Sequence, residues 1–332
     1  MPPAAGVQIV ERDRVLLAAL AIARYLTGEQ AARLVFPGLH RRVHQRRLNR
    51  LAKPGPTDPL VRALSYRGPT GAPLKAWALT EAGYVAAKLV VPHVAAPGGD
   101  VGPAFLEHSL MLNELLVELI VRVRAETGSE PLLDLPFRWF TESGGCAEFK
   151  YYDRPERSIK EVRIRPDAIL EIGEPRRRVF LECETGAHTL VSSDPTSTGA
   201  TWAKIQRYTH LIAGGVGQHD ARTPYSILWP DGFTPVLLFL TPSERRRDSI
   251  RKLVADPKRG VRIKVRAFTF REAAGLLGAL ALGHPRPGTS PGSVARLHGL
   301  GSGPRSIQQA GRHVTPSDGT GSAGSVPVNG RP

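Results

Sequence analysis

The sequence predicts a mixed α/β protein, α+β overall, with two patterned regions followed by a tail. Three observations predict it. In the first ninety residues helical periodicity is followed by a pair of short strand-like segments. From residue 103 to 282, long apolar helices alternate with strand-like runs. From residue 283 on, Gly, Pro and Ser displace any apolar period. The expected boundaries are 8–92, 103–282 and 283–332, with the run VPHVAAPGGDVG as the linker between the first two. The tail cannot bury enough surface to offset its ordering entropy and is expected to be disordered.

Charge narrows the partners. Lys and Arg number 45 against 30 Asp and Glu, a net +15, of which residues 1–96 carry +9, 97–282 carry +2 and 283–332 carry +4. A polyanion is expected, nucleic acid ahead of an anionic membrane. Arg outnumbers Lys 36 to 9, which reads as a GC-rich genome sooner than as a recognition device. Two cysteines, Cys146 and Cys183, exclude a disulfide scaffold and a four-cysteine zinc site, and fit a reducing cytoplasm. The apolar run Val15 to Ile22 is too short to span a bilayer and lacks the flanks of a signal peptide, so no membrane insertion is expected.

Residues 11–25 are apolar at helical spacing, and Thr27 to Gln30 fits a capping box that opens a short helix ending before Pro37 and Gly38. The third helix, His40 to Lys53, places Arg42, Gln45, Arg46, Asn49 and Lys53 on one stripe, with Arg41 and Arg50 beside it. Val43, Leu48 and Leu51 are expected on the opposite side. Long cations mixed with amides can reach phosphates and base edges; alone, such a face could equally be a solvated surface. Leu60–Tyr66 and Leu74–Leu79 then flank a turn-rich connector opening at Arg67, which predicts a hairpin, and Thr80 caps a further helix to about Leu89. Helix, helix, basic helix, hairpin, helix is the order of a winged helix-turn-helix. Its expected ligand is double-stranded DNA, with a protein-docking or dimerising use as the alternative.

In the second region, Phe105–Arg124 is a long helix with Glu107, Glu114 and Glu118 on one face. His108 lies over Leu112, Leu115 and Leu119 and reads as a structural histidine sooner than a metal ligand. Strands are expected at Leu132–Thr141 and Cys146–Tyr152, followed by a basic connector from Arg154 to Arg163. Ile164–Leu170 reads as a strand carrying Asp167, and Val179–Gly186 as a second one carrying Glu182 and Glu184, two apart and so on one face. Acids on buried strands are expensive without a counter-cation, and oxygen-only ligands favour Mg²⁺ or Mn²⁺ over zinc. Asp167, Glu182 and Glu184 are thus the candidate metal ligands; ion pairs to Arg165 and Arg178 are the alternative. Lys204 and Tyr208, four apart on the helix Trp202–Ile212, share a face, and Lys204 could orient or deprotonate water or stabilise phosphate charge. Strands at Thr234–Leu240 and Ile263–Phe268 and helices at Ser243–Ala255 and Arg271–Leu282 complete the layer. Helix–strand–strand–strand–helix–strand is the order of a restriction-endonuclease-like core.

ARYLTGEQAARLVFP before a basic helix, then LTEAG, EHSLMLNELLVEL and RPDAIL…FLECETG…KIQRY, in that order, resemble the replication-relaxation family of plasmids and integrative conjugative elements. The resemblance covers roughly residues 10–280. It implies a bacterial DNA-binding protein whose second half is similar to PD-(D/E)XK nucleases, acting as a metal-dependent nickase or relaxase at a replication or transfer origin, with replication or conjugation machinery as further partners. Asp167 matches the Pro-Asp acid and Glu182 the acid opening the next motif. Glu184 stands where that pattern wants lysine, a charge that Lys204 could supply. Glu114 is the candidate helix acid, ahead of Glu118 and Glu107. Water or Tyr208 could be the nucleophile. The reading from another class is a non-catalytic origin-binding initiator, accessory factor or transcriptional regulator. A Walker phosphate loop is absent, no histidine pair has the spacing of a rolling-circle relaxase site, and His40 and His44 read as helix-face residues. Gly214–Gly217 follows a helix and so is not a dinucleotide loop.

Overall fold

The structure, a computed structural model, describes residues 8–53, 58–67, 72–91, 101–128, 135–141, 145–153, 157–186, 189–192, 199–214 and 223–283. The expected tail, and nearly all of the expected linker, lie outside the described residues. The architecture is mixed α/β. Its first part comprises α1 (Glu11–Ala23), β1 (Leu26–Thr27), α2 (Gly28–Val35), α3 (Arg41–Leu51), β2 (Val61–Arg67), β3 (Pro73–Leu79) and α4 (Glu81–Lys88). The strands form an antiparallel sheet in the order β1-β3-β2.

Local chemistry explains these boundaries. At α2, Thr27 Oγ1 accepts from Gln30 N at 3.0 Å while Gln30 Oε1 accepts from Thr27 N at 3.0 Å, the reciprocal box that the sequence predicts. Thr80 caps α4 by accepting from Gly83 N at 3.1 Å. Gly83 is required there because an added Cβ would stand 1.8 Å from the Leu60 carbonyl oxygen. On α3 the buried side is His44, Leu48 and Leu51, whereas Val43 is half exposed. Val43, expected inside, lies about 100° around the helix from His44. Arg47 fastens α3 to α1, donating to the fully buried Asp13 through Nε at 2.7 Å and again through Nη2.

The second part opens with α5 (Pro103–Thr127), which Pro103 starts and Gly128 ends in the left-handed region at φ 64°. Then come β4 (Phe137–Thr141), β5 (Ala147–Asp153), β6 (Ser158–Ile164), β7 (Ala168–Ile172), β8 (Arg177–Cys183), α6 (Thr201–Ala213), α7 (Pro224–Leu228), β9 (Thr234–Thr241), α8 (Glu244–Ala255), β10 (Val265–Thr269) and α9 (Phe270–Ala281). Five strands form one sheet in the order β10-β9-β8-β7-β4. β8, β9 and β10 run parallel, and β7 is antiparallel to both β8 and β4. The stretch 158–163, expected within a basic connector, is instead strand β6, which also takes Ile164 from the strand expected at 164–170. Among the described residues β6 pairs with β5 alone, in a separate two-stranded ribbon. Lys, Glu and Arg along the strand conceal its alternating pattern.

The sheet is covered on both faces, and alternation along β8 assigns its side chains. Val179 and Leu181 pack with residues of α5 and α9, while Phe180 packs with Ile205 and Tyr208 of α6 and Ile250 of α8. Even-numbered residues of β8 therefore face α6, Glu182 among them. α5 also serves the first part: Leu106 and Leu110 pack against Ala76 and Ala78 of β3, and Leu112 to Val123 join a core that includes α1 and α2. Buried amides seal this contact. Gln30 Nε2 donates to the Leu110 carbonyl at 2.8 Å, and Asn113 Nδ2 donates to the carbonyls of Ala23 (2.9 Å) and Tyr25 (2.7 Å).

Asn113→Ala leaves two buried carbonyls without a donor and should lower the unfolding free energy by about 1–3 kcal/mol in urea titrations. Circular dichroism and tryptophan fluorescence should report one shared transition. Two separated transitions, with the midpoint of each unchanged, would show that Asn113 does not tie the first part to α5.

Candidate functional site

Carboxylates gather where β7 begins and β8 ends. The register pairing Ala168 with Leu181 brings Asp167 beside Glu182. Asp167 continues the ladder through its own N–H, which donates to the Leu181 carbonyl at 3.0 Å, and its Oδ2 accepts from Cys183 N at 2.7 Å. Glu182, on the α6 side, accepts from the Tyr208 hydroxyl at 2.7 Å and lies 2.8 Å from Lys204 Nζ. Glu184, one β-period on, meets Lys204 Nζ at 3.3 Å and Arg246 Nη2 at 2.9 Å. Arg246 comes from the first turn of α8, whose start follows the end of β9 and so lies beside Glu184. His108 of α5 approaches from the other face, with Nε2 3.0 Å from Asp167 Oδ2. Asp167, Glu182 and Lys204 open onto a cavity of about 390 Å³ whose lining includes Arg163, Arg165 and Arg207.

Burial and neighbouring charge together set the protonation states. Burial, then the neighbouring Asp167 charge, pushes Glu182 up to about 7, against the pull of Lys204 and Tyr208. Burial works against the Lys204 ammonium, but Glu182 and Asp167 outweigh it and raise its pKa. Burial and Glu182 drive the Tyr208 phenol well above 10. Burial lowers and Asp167 raises the His108 imidazole, with a net rise. The two acids thus favour the charged form of Lys204, which suits it to stabilising phosphate charge more than to acting as a base. Tyr208 is buried and neutral, with its hydroxyl committed to Glu182, a poor disposition for a nucleophile.

A second surface lies on α3. Arg41, Arg42, Gln45, Arg46, Asn49, Arg50 and Lys53 line one shallow depression of about 860 Å³. Among the described residues no carboxylate pairs with any of its five cations, and Gln45 Nε2 donates to Asn49 Oδ1 at 3.2 Å. Between α3 and the β2–β3 hairpin runs a further groove lined by Arg41, Gln45, Asn49, Tyr66 and Lys75. Arg67 is exposed at the last described position of β2. His40 caps α3 and His44 packs on Phe36, so neither is a ligand of anything described.

A family model described as replication-relaxation matches residues 17–224. The chain belongs to the replication-relaxation family. No curated protein and no solved structure matches it. Membership ties this replication-relaxation protein to plasmids and replication. Among its described residues no helix is long and apolar enough to cross a membrane.

The expected helix acid is placed elsewhere. Glu114 pairs with Arg33 and accepts from Gln30 Nε2 at 3.2 Å, and Glu118 meets Arg33 at 2.8 Å and Arg122 at 3.1 Å. Both face α2, while Glu107 is exposed. The α5 group beside Asp167 is His108, which the sequence presents as a core histidine. Its position one turn before Leu112 carries no sign of a partner about sixty residues away. Arg178 leaves the acids as well, being buried between Glu171 (2.5 Å) and Asp231 (2.6 Å). Arg246 has no signal in the sequence that would single it out.

The donor set also bears on metals. Among the described residues no three His, Cys, Asp or Glu side chains converge as a metal site. Glu184, the expected third ligand, has one oxygen facing Lys204 and the other Arg246, as Glu182 has one facing Tyr208 and the other Lys204. Of the three, Asp167 and Glu182 line the cavity, and one or two carboxylates completed by substrate phosphate and water is the usual protein share of a Mg²⁺ site.

Glu182 has a folded pKa raised to about 7 from 4.5, so its contribution to stability is complete below the lower value and is lost as pH rises through the upper one. In EDTA, unfolding free energy should fall across this window, and less so in Glu182→Gln. Parallel pH profiles for the two proteins would contradict the assignment.

Proposed function

We propose that this replication-relaxation protein binds duplex DNA at the origin of a plasmid or integrative element and opens one strand there. The observation that carries the DNA reading is the α3 face, five cations with two amides and, among the described residues, no carboxylate partner. The order α1, α2, α3, hairpin, α4 with β1 closing the sheet is that of a winged helix-turn-helix, with α3 as the recognition helix and Arg67 on the wing. Arg42 and Arg46 suit phosphates or guanine edges, and Gln45 and Asn49 suit adenine.

Strand opening is supported by the cavity that holds Asp167, Glu182 and Lys204 at the ends of two central strands, in the manner of a PD-(D/E)XK nuclease core. A Mg²⁺ or Mn²⁺ ion held by Asp167 and Glu182 would polarise the scissile phosphate. Asp167 is kept in place by Cys183 N and His108, and Glu182 by Tyr208. Lys204, its charged form favoured by the two acids, faces the phosphate as negative charge grows on it. Water adds at phosphorus, one P–O ester bond breaks, and the proton passes to the departing oxygen. Glu184 is a positioning residue, bracing Lys204 and Arg246.

One observation favours a second reading, an origin-binding initiator without strand scission. Both oxygens of Glu182, and both of Glu184, already face a cation or a hydroxyl. Supercoiled plasmid carrying the origin of the protein's own element, incubated with Mg²⁺ or Mn²⁺, separates the two. Relaxed circles with the wild type and none with Asp167→Ala are expected; a tight footprint without relaxation establishes the second reading. Arg42→Ala with Arg46→Ala should weaken duplex binding about tenfold or more, and should lower the salt slope by about 0.9 for each phosphate that the variant no longer neutralises. Unchanged affinity would remove α3 from the interface.

A further inference from the structure

The cavity above the acids has walls of a kind that α3 lacks. One wall is β6 and the residue after it, where Arg163 and Arg165, two apart in extended chain, point to the same side and are exposed. The other is α6, where Lys204 and Arg207, three apart, share a helix face. β6 stands apart from the five-stranded sheet, and its ribbon is held to α6 by Tyr151 of β5, stacked on His210 with centroids 3.9 Å apart and planes at 16°. Four cations thus face one another across Asp167 and Glu182. At the edge Arg163 lies 3.1 Å from Glu148 and donates to Cys146 Sγ at 3.2 Å on the exposed side of the ribbon.

Size and depth select the ligand. The cavity measures about 390 Å³, less than half of the 860 Å³ depression beside α3. That is the lower part of the roughly 300–1,000 Å³ spanned by small-molecule pockets. Glu182 at its floor is 4% exposed and Tyr208 is 1% exposed. A phosphate approaching that floor must enter with its own nucleotide and leave its flanking phosphates between the two cationic walls. A strand free of its complement can bend its backbone toward that floor, whereas a paired strand brings with it a complement across a major groove about 12 Å wide.

We propose that this cavity receives an unpaired DNA strand, held through its phosphates by Arg163, Arg165 and Arg207, at a site separate from the α3 face. The inference deepens the strand-opening reading by naming the form of its substrate, yet the binding it asserts requires no scission. Duplex is engaged at α3, and the strand that reaches the acids is already melted out of it.

Fluorescence anisotropy with the full chain in EDTA tests this, using labelled duplex and a labelled oligothymidine of about 15 nucleotides, within the site sizes of single-strand binders. Arg165→Ala with Arg207→Ala should weaken oligothymidine binding about tenfold or more and change duplex binding by less than about twofold, given the phosphate share of affinity. Arg42→Ala with Arg46→Ala should do the reverse. Arg165→Lys with Arg207→Lys keeps the charges and should retain most single-strand binding, which separates charge from misfolding. The proposal is overturned if either alanine pair removes both ligands together, or if oligothymidine binding ignores Arg165 and Arg207. It is also overturned if inorganic phosphate at equal phosphate concentration displaces the oligomer, because the site would then hold a simple anion. Selective single-strand binding without plasmid relaxation would fell the scission reading and leave this one standing. Absence of duplex binding beside intact oligothymidine binding would fell only the α3 assignment.

Discussion

Glu182 carries a carboxylate into a sheet that is apolar on both faces, and the surroundings are arranged around that expense. A buried acid with no partner costs several kcal/mol. Here Tyr208 and Lys204 hold one oxygen each, at 2.7 and 2.8 Å, while Asp167 stands beside it and drives its pKa up to about 7. The attraction and the repulsion come from different elements, α6 on one side and the start of β7 on the other. A hydrophobic residue at 182 would pack at lower cost. Glu182 instead lines the cavity, where its charge is open to whatever enters from solvent.

The same helix that carries His108 to this centre also carries Asn113 and Glu114 to the first part of the chain. α5 therefore joins the acid cavity to the elements that hold α3. His108 meets Asp167, Asn113 further along holds the chain leaving α1, and Glu114 and Glu118 hold Arg33 of α2. The partners are buried or half-buried and come from one continuous core. In such an arrangement the two surfaces cannot move independently without breaking amide–carbonyl bonds in the interior. The α3 face and the acid cavity are therefore held at a fixed spacing by α5.

Much of this is legible in the sequence because it is periodic. Glu182 and Glu184 are two apart on a strand, Lys204 and Tyr208 four apart on a helix, and the α3 cations recur at helical spacing, so the shared faces follow from geometry alone. Asp167 is legible through its Pro-Asp step at the head of an apolar run. What stays hidden has no local period. Arg246 reaches Glu184 across 62 residues and His108 reaches Asp167 across 59, through strand order that no window of sequence contains. Glu114 is misplaced for the converse reason: three glutamates at helical spacing define a face, but nothing in them says whether that face meets the sheet or α2. β6 escapes notice because charged residues along it conceal a strand with one packed side.

Under the nuclease reading proposed above, a lysine on α6 in place of one on β8 changes what the centre could do. A lysine at position 184 would project from the same strand as Glu182, one β-period away, and would be tied to it by the backbone. Lys204 instead comes from a helix and is braced by two acids, Glu182 and Glu184, the second of which is also held by Arg246 of α8. Glu184 thus takes the place of the expected cation and recruits two others. Their charges sit at the carboxyl ends of β8 and β9, where open α/β sheets bind their ligands. Replacing Glu184 by lysine would put three cations together beside Asp167 and Glu182, and repulsion among them would weaken the hold of Lys204 on Glu182. The departure from the nuclease pattern is therefore a coupled change of at least three residues, and no single substitution restores the arrangement of charges which that pattern describes.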